Sequence, residues 1–196
     1  MTSKIWWYYL LVIIGAIMII FIGFKKKKIL DIFSFFVFVT AISWILELFI
    51  LLMLNAYDYK PGLFEDPAAE NIAGHLIANT ALWSSTAILV MYLQLSVPWL
   101  CFISVSFMFI EELFLKVDAY EHNWWKTCMT GIGVFLFMWA MKKWYSKFYR
   151  NWYKLMRLIT IWMIAWVLIT TTSSTLILLG ISFMMLTGAK ISIGRV

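Results

Sequence analysis

The chain has 196 residues, of which 64% are hydrophobic, 19% aromatic and 13% charged, with a formal net charge of +6. A soluble domain carries about 25% charged residues and about half apolar ones, so a soluble enzyme and a disordered chain are both excluded. The polar surface is also too small for a basic groove, so no nucleic acid is expected as a partner, and the composition describes a polytopic membrane protein.

A hydrocarbon core about 30 Å thick takes about 20 apolar residues as helix. Six stretches qualify, at residues 5–24, 29–54, 76–97, 99–115, 124–141 and 158–186. The expected fold is therefore an all-α bundle of six transmembrane helices. The first stretch does not read as a cleavable signal peptide, because Lys4 before it is outweighed by the four lysines from Lys25 to Lys28, and no small-x-small site follows. Trp6, Trp7, Tyr8 and Tyr9 read instead as an interfacial aromatic belt, repeated by Trp124 and Trp125 ahead of the fifth span.

In the second span Thr40, Ser43 and Glu47 fall at i, i+3 and i+7, one polar stripe for the bundle interior. In the third, Asn71, His75, Asn79, Thr86 and Gln94 fall within a helical face of about 140°. Pro98 separates the third and fourth spans and is read as a tight hairpin; a single kinked helix is the alternative and would invert everything downstream. Gly131 and Gly133 in the fifth span, and the row Thr170, Thr171, Thr172, Ser173, Ser174 and Thr175 in the sixth, read as close helix packing and hydroxyls bonded back to carbonyls.

Basic residues set the orientation. Lys25 to Lys28 and the group Lys142, Lys143, Lys147, Arg150, Lys154 and Arg157 are separated by an even number of spans, so both are assigned to the cytoplasm and both termini to the outside. The inner side then holds ten basic residues and Asp31, the outer side six of each sign, and the spans three carboxylates. Lys143, Lys147, Arg150, Lys154 and Arg157 advance by 4, 3, 4 and 3, a basic stripe beside aromatic residues over 142–157. Such a segment lies in an interface, with the lipid bilayer and anionic headgroups as partners. Cys101 and Cys128 are expected near opposite ends of their spans, too far apart for a disulfide, hence two free thiols.

Charge at the bilayer centre costs roughly 2.5–3.5 kcal/mol, which singles out Glu47, Glu111 and Glu112 as the candidate reactive groups. Glu47 lies eight residues before Asn55, about 12 Å of helix, and Glu111 and Glu112 lie seven and six before Asp118, about 10 Å. All three occupy the outer half of the membrane. With His75, Asn79, His122 and Ser43 they are expected to form a polar pocket open to the outside. Glu112 and Lys116, at i and i+4, read as a helical ion pair. With no HExxH, CxxC or third histidine, no metal site is assigned, and no phosphate loop, nucleophile elbow or dinucleotide fingerprint implies a cofactor.

Leu46-Glu47-Leu48-Phe49 before Asn55-Ala56-Tyr57 is echoed by Glu111-Glu112-Leu113-Phe114 before Asp118-Ala119-Tyr120, on two spans running the same way, as in a parallel repeat. The run from Glu111 through Lys116, Tyr120, His122, Trp124-Trp125 and Thr127 resembles a pattern in small multi-pass membrane proteins of spore-forming Gram-positive bacteria. That resemblance covers about a tenth of the chain and implies a bacterial plasma membrane. Phe109-Ile110-Glu111-Glu112-Leu113-Phe114 is similar to the Pro-x-Glu-Glu-x-x-Phe motif of integral membrane lycopene cyclases, with Phe109 in place of the proline. This second resemblance would make Glu111 and Glu112 proton donors to a polyene.

Three functions are therefore carried forward. The first is an accessory or sensory membrane protein with an outward-facing Glu/His pocket. The second is a proton-linked transporter or channel component using Glu47 and Glu111. The third is a membrane enzyme acting on a lipid or isoprenoid by acid chemistry. The small size suits a homodimer or a complex with a protein partner.

Overall fold

The structure is a computed structural model that describes residues 3–26, 29–150, 158–170 and 172–173. It is mostly helical. Helix α1 (Ser3–Lys26) is followed by α2 (Ile29–Leu48), which continues through a π-helical turn, Phe49–Met53, and leads to strand β1 (Tyr57–Tyr59). Helix α3 (Pro67–Ala78), a second π-turn (Asn79–Trp83) and α4 (Ser84–Leu93) form one unbroken rod. Then come α5 (Val97–Lys116), strand β2 (Tyr120–His122) and α6 (Thr127–Arg150). A further apolar helix occupies Leu158–Thr170.

Among the described residues four helices are long and apolar enough to cross a membrane: Lys4–Lys25, Ile32–Leu51, Pro67–Leu93 and Val97–Lys116. The third is longer than hydropathy implies. It starts at Pro67, with Asp66 capping the N–H of Ala69 at 2.8 Å and proline in the first turn, where its missing N–H costs nothing. At 1.5 Å per residue the rod to Leu93 is about 40 Å long. Helix α6 keeps its helical course to Arg150, so the basic stretch from Lys142 to that point continues the helix of the fifth expected span rather than starting a separate one.

The break between α4 and α5 is a hairpin. Gln94 takes the left-handed conformation (φ 53°), Leu95 N–H bonds back to Val90 O at 3.3 Å, and Ser96 is extended. The turn precedes Pro98, which sits in the first turn of α5 and does not itself break the helix. The Lys142 ammonium donates to Leu95 O at 2.6 Å and ties this turn to α6.

Helix α4 is central, with eight of its ten residues buried. Helix α1 reaches the rod at Gly15, where a Cβ would collide with the carbonyl oxygen of Ala81; only glycine lets the backbones meet there. At one end of the bundle Phe35 and Phe38 of α2 pack on Tyr145 and Trp144 of α6, with centroids 5.0 and 5.5 Å apart. Lys25 and Lys26, which end α1, and the basic last turns of α6 lie at this end. At the other end Lys4 pairs with Asp118 at 2.5 Å, and Tyr8 Oη donates to Ala119 O at 2.7 Å. The two short strands pair antiparallel across that end, with Tyr57 opposite His122, Asp58 opposite Glu121 and Tyr59 opposite Tyr120.

Candidate functional site

Glu47 stands on α2 just before the π-turn and is only 7% exposed. Its Oε1 accepts from Tyr57 Oη at 2.6 Å and Tyr59 Oη at 2.9 Å. On the rod the Asn79 amide Nδ2 lies 2.7 Å from His75 Nδ1, and both side chains are buried. The two phenols on Glu47 and the His75–Asn79 pair are thus two buried polar contacts on neighbouring helices.

Glu111, on α5, is held by another set. Its Oε1 lies 2.6 Å from His122 Nε2, and Thr130 of α6 lines the same cavity. Trp125 Nε1 donates to Thr130 Oγ1 at 2.7 Å and fixes that hydroxyl. Glu112 is exposed and accepts from Thr127 Oγ1 at 2.6 Å. Its expected ion pair with Lys116 is absent among the described residues, because the loop brings a hydroxyl of the next helix within shorter reach.

The two carboxylates open onto one cavity of about 120 Å³. Tyr57, Tyr59 and Tyr120 form its roof, Trp83, Phe107, Phe114 and Trp125 its walls, and Gly133 leaves room that a side chain would fill. The roof rings touch one another with centroids 5.1 to 5.7 Å apart. Burial, and for Tyr57 and Tyr59 next the charge of Glu47, hold their phenols well above the ordinary value of 10.0, so they remain neutral donors. Among the described residues no three His, Cys, Asp or Glu side chains come together as a metal site.

The sequence echo has a structural meaning. Asn55 (φ 45°) and Asp118 (φ 56°) each end a helix in the left-handed region, a conformation their short polar side chains tolerate. Each is followed by a fully buried alanine, Ala56 or Ala119, and then by a tyrosine that opens a strand. Matching Tyr57 to Tyr120 and Tyr59 to His122 maps the strand register onto itself, as a two-fold relation between the units requires. The eight-residue spacing from Glu47 to Asn55 exceeds the seven-residue spacing from Glu111 to Asp118 by the one residue that a π-turn inserts. Glu47 with Tyr59 is therefore the counterpart of Glu111 with His122, whereas the sequence echo alone sets Glu47 against Glu112.

Of the expected pocket residues, Glu47 and Glu111 face the chamber, His122 supports Glu111, and Asn79 pairs with His75. His75 is buried behind Asn79 with its ring 6.2 Å from that of Trp44. Ser43 donates to Thr40 O at 3.0 Å within α2 and does not reach the chamber. The single polar face drawn through Asn71, His75, Asn79, Thr86 and Gln94 is broken, because the π-turn rotates the rod by about one residue, or 100°. Asn71 serves β1, accepting from Tyr59 N–H at 2.9 Å, and Thr86 points to Met18 Sδ at 3.7 Å.

On the basic stripe, Lys143 Nζ lies 5.8 Å from the centroid of the Trp139 ring. Lys147 and Arg150 continue α6, and Lys154 and Arg157 lie outside the described residues. In the hydroxyl row Thr170 and Thr172 bond back to Trp166 O and Leu168 O, at 2.9 and 2.5 Å. Thr171, Ser174 and Thr175 lie outside the described residues. Both cysteines are free thiols and exposed.

Sequence reasoning missed Tyr57, Tyr59, Tyr120, Trp125 and Thr130. The alternation Tyr57-x-Tyr59 and Tyr120-x-His122, just after the echoed Asn-Ala and Asp-Ala pairs, was the available signal. No family model matches the chain, and no curated protein or solved structure matches it.

Proposed function

We propose that this is a multi-pass protein of a bacterial plasma membrane that binds a small ligand in the Glu47–Glu111 chamber, acting as a sensory or accessory component rather than as a catalyst. The observation that carries this reading is the shared chamber itself. Two buried acids from separate helices open into one aromatic-walled space, and among the described residues no basic side chain is paired with Glu47. Each acid is held by the protein, Glu47 by the Tyr57 and Tyr59 hydroxyls and Glu111 by His122, which suits a fixed recognition surface.

The positive-inside rule sets the lysine-rich end in the cytoplasm and the chamber toward the outside, with both termini outside. Lys143 at that end of α6 then meets the headgroups of the inner leaflet. The test is mass spectrometry of small molecules that co-purify with the protein in mild detergent. A stoichiometric ligand retained by the wild type and lost from the folded Glu47→Gln/Glu111→Gln variant is expected. Identical ligand content in the two would overturn the reading, and Glu47-dependent proton flux into liposomes would replace it with a proton-linked carrier.

A further inference from the structure

Below the chamber lies a groove of about 420 Å³ between α1, α4 and α5. Leu82, Phe107 and Ile110 belong to the walls of both spaces, so the chamber floor is the head of the groove. From there the groove follows α5 to Trp99, eleven residues and about 16 Å away, the length of an extended dodecyl chain. Ile14, Met18, Leu89 and Phe102 line it. Its hydroxyls are turned away from any ligand: Thr86 toward Met18 Sδ, and Ser106 to Phe102 O at 2.9 Å.

We infer that the chamber and groove together bind a single-tailed amphiphile, its small hydrogen-bond-donating head between Glu47 and Glu111 and its chain along α5 toward Trp99. This rests on the reading of the chamber as a ligand site and adds the class of ligand. The head must be small, since a cavity of about 150 Å³ is the size that holds benzene and this chamber measures about 120 Å³. It is expected to donate, because the chamber offers two carboxyl groups as acceptors. A phosphate or a carboxylate is disfavoured, since among the described residues no lysine, arginine or histidine lines the chamber to neutralise it. An amine and an alcohol share the required chemistry, and the aromatic walls add cation–π attraction for the ammonium.

The experiment uses the full chain in phosphatidylcholine nanodiscs, with dodecylamine and dodecanol each carrying a terminal diazirine, and maps the photo-adducts by peptide mass spectrometry. Saturable adducts on the wall between Leu93 and Ile103 are expected. Competition by unlabelled dodecylamine but not dodecanol assigns an ammonium head, and the reverse assigns a hydroxyl. Dodecyl phosphate should not compete. The Glu47→Gln/Glu111→Gln variant should lose about tenfold or more in half-saturation concentration. Gly133→Val, which fills the chamber and leaves both acids in place, should lose a similar factor and guards against a folding defect in the double variant. Adducts spread evenly over the lipid-facing residues Ile17 and Ile20, or full competition by dodecyl phosphate, would overturn the amphiphile. If propylamine competes as well as dodecylamine, the tail inference falls while the chamber reading stands. Unchanged saturable labelling in both variants would overturn both.

Discussion

Replacing Tyr57 by phenylalanine isolates one hydrogen bond of the chamber roof. The ring is 4% exposed and packs on Tyr59, Tyr120 and Trp125 at 5.7, 5.1 and 5.5 Å, contacts that phenylalanine keeps. What is lost is a 2.6 Å bond to Glu47. Hydrogen bonds to charged partners are worth about 1.5–3 kcal/mol, whereas interhelical bonds in membranes average about 0.6 kcal/mol. The short distance and the buried acceptor favour the larger value, and the surviving bond from Tyr59 to the same oxygen at 2.9 Å holds the loss to its lower end. Tyr57→Phe should therefore cost about 1.5 kcal/mol in a mixed-micelle unfolding equilibrium, and Tyr59→Phe less. In a double-mutant cycle with Glu47→Gln the coupling should be about 1 kcal/mol. A loss for Tyr57→Phe within about 0.3 kcal/mol of zero, or an equal loss in the Glu47→Gln background, would refute the bond's role in holding the acid.

Gly15→Ala should cost about 1–3 kcal/mol by forcing α1 away from the carbonyl of Ala81, measured by thermal unfolding, while Gly23→Ala, with nothing within 4 Å, should be neutral or stabilising. The phenols of Tyr57, Tyr59 and Tyr120 are held above their ordinary value, so the fold favours their neutral form. Their contribution is intact below pH 10.0 and is lost as pH rises through the raised values. In an absorbance titration at least three of the nine tyrosines should ionise only together with alkaline unfolding, and full ionisation of a protein still folded would contradict this. In intact cells a membrane-impermeant maleimide should modify Cys128 and spare Cys101; the opposite pattern would invert the orientation.

The parts of this site that could be read in the sequence are those in which polarity interrupts an apolar span. Glu47 and Glu111 stood out because a carboxylate in a helix of the bilayer needs a reason, and His122 because it follows so closely. The three tyrosines were hidden because they lie in segments that looked like connectors, and a three-residue strand has too short a period to register against long apolar runs. Depth arithmetic put Glu47 and Glu111 at similar levels, yet it could not foresee that a π-turn supplies the one residue by which their spacings differ. The same kind of turn at Asn79–Trp83 defeated the helical-face reasoning for the third span, since a constant 100° step fails wherever the helix is wound differently. Pro98 marked the hairpin but not its centre, because a proline is tolerated in the first turn of the helix that follows. The ion pair expected between Glu112 and Lys116 failed for a simpler reason: spacing on one helix says nothing about the Thr127 hydroxyl that another segment brings to the acid.

The most direct test of a chamber shared by Glu47 and Glu111 is modification by dicyclohexylcarbodiimide, an apolar reagent that converts a membrane carboxyl group to a stable N-acylurea. One dicyclohexylurea group overfills a cavity of about 120 Å³ and must extend into the adjoining groove, so reaction at either acid should block the other. Intact-protein mass spectrometry should then find at most one buried adduct per chain, mapped by peptide analysis to Glu47 or to Glu111. Chains carrying both adducts, at the frequency expected for independent sites, would contradict the shared chamber.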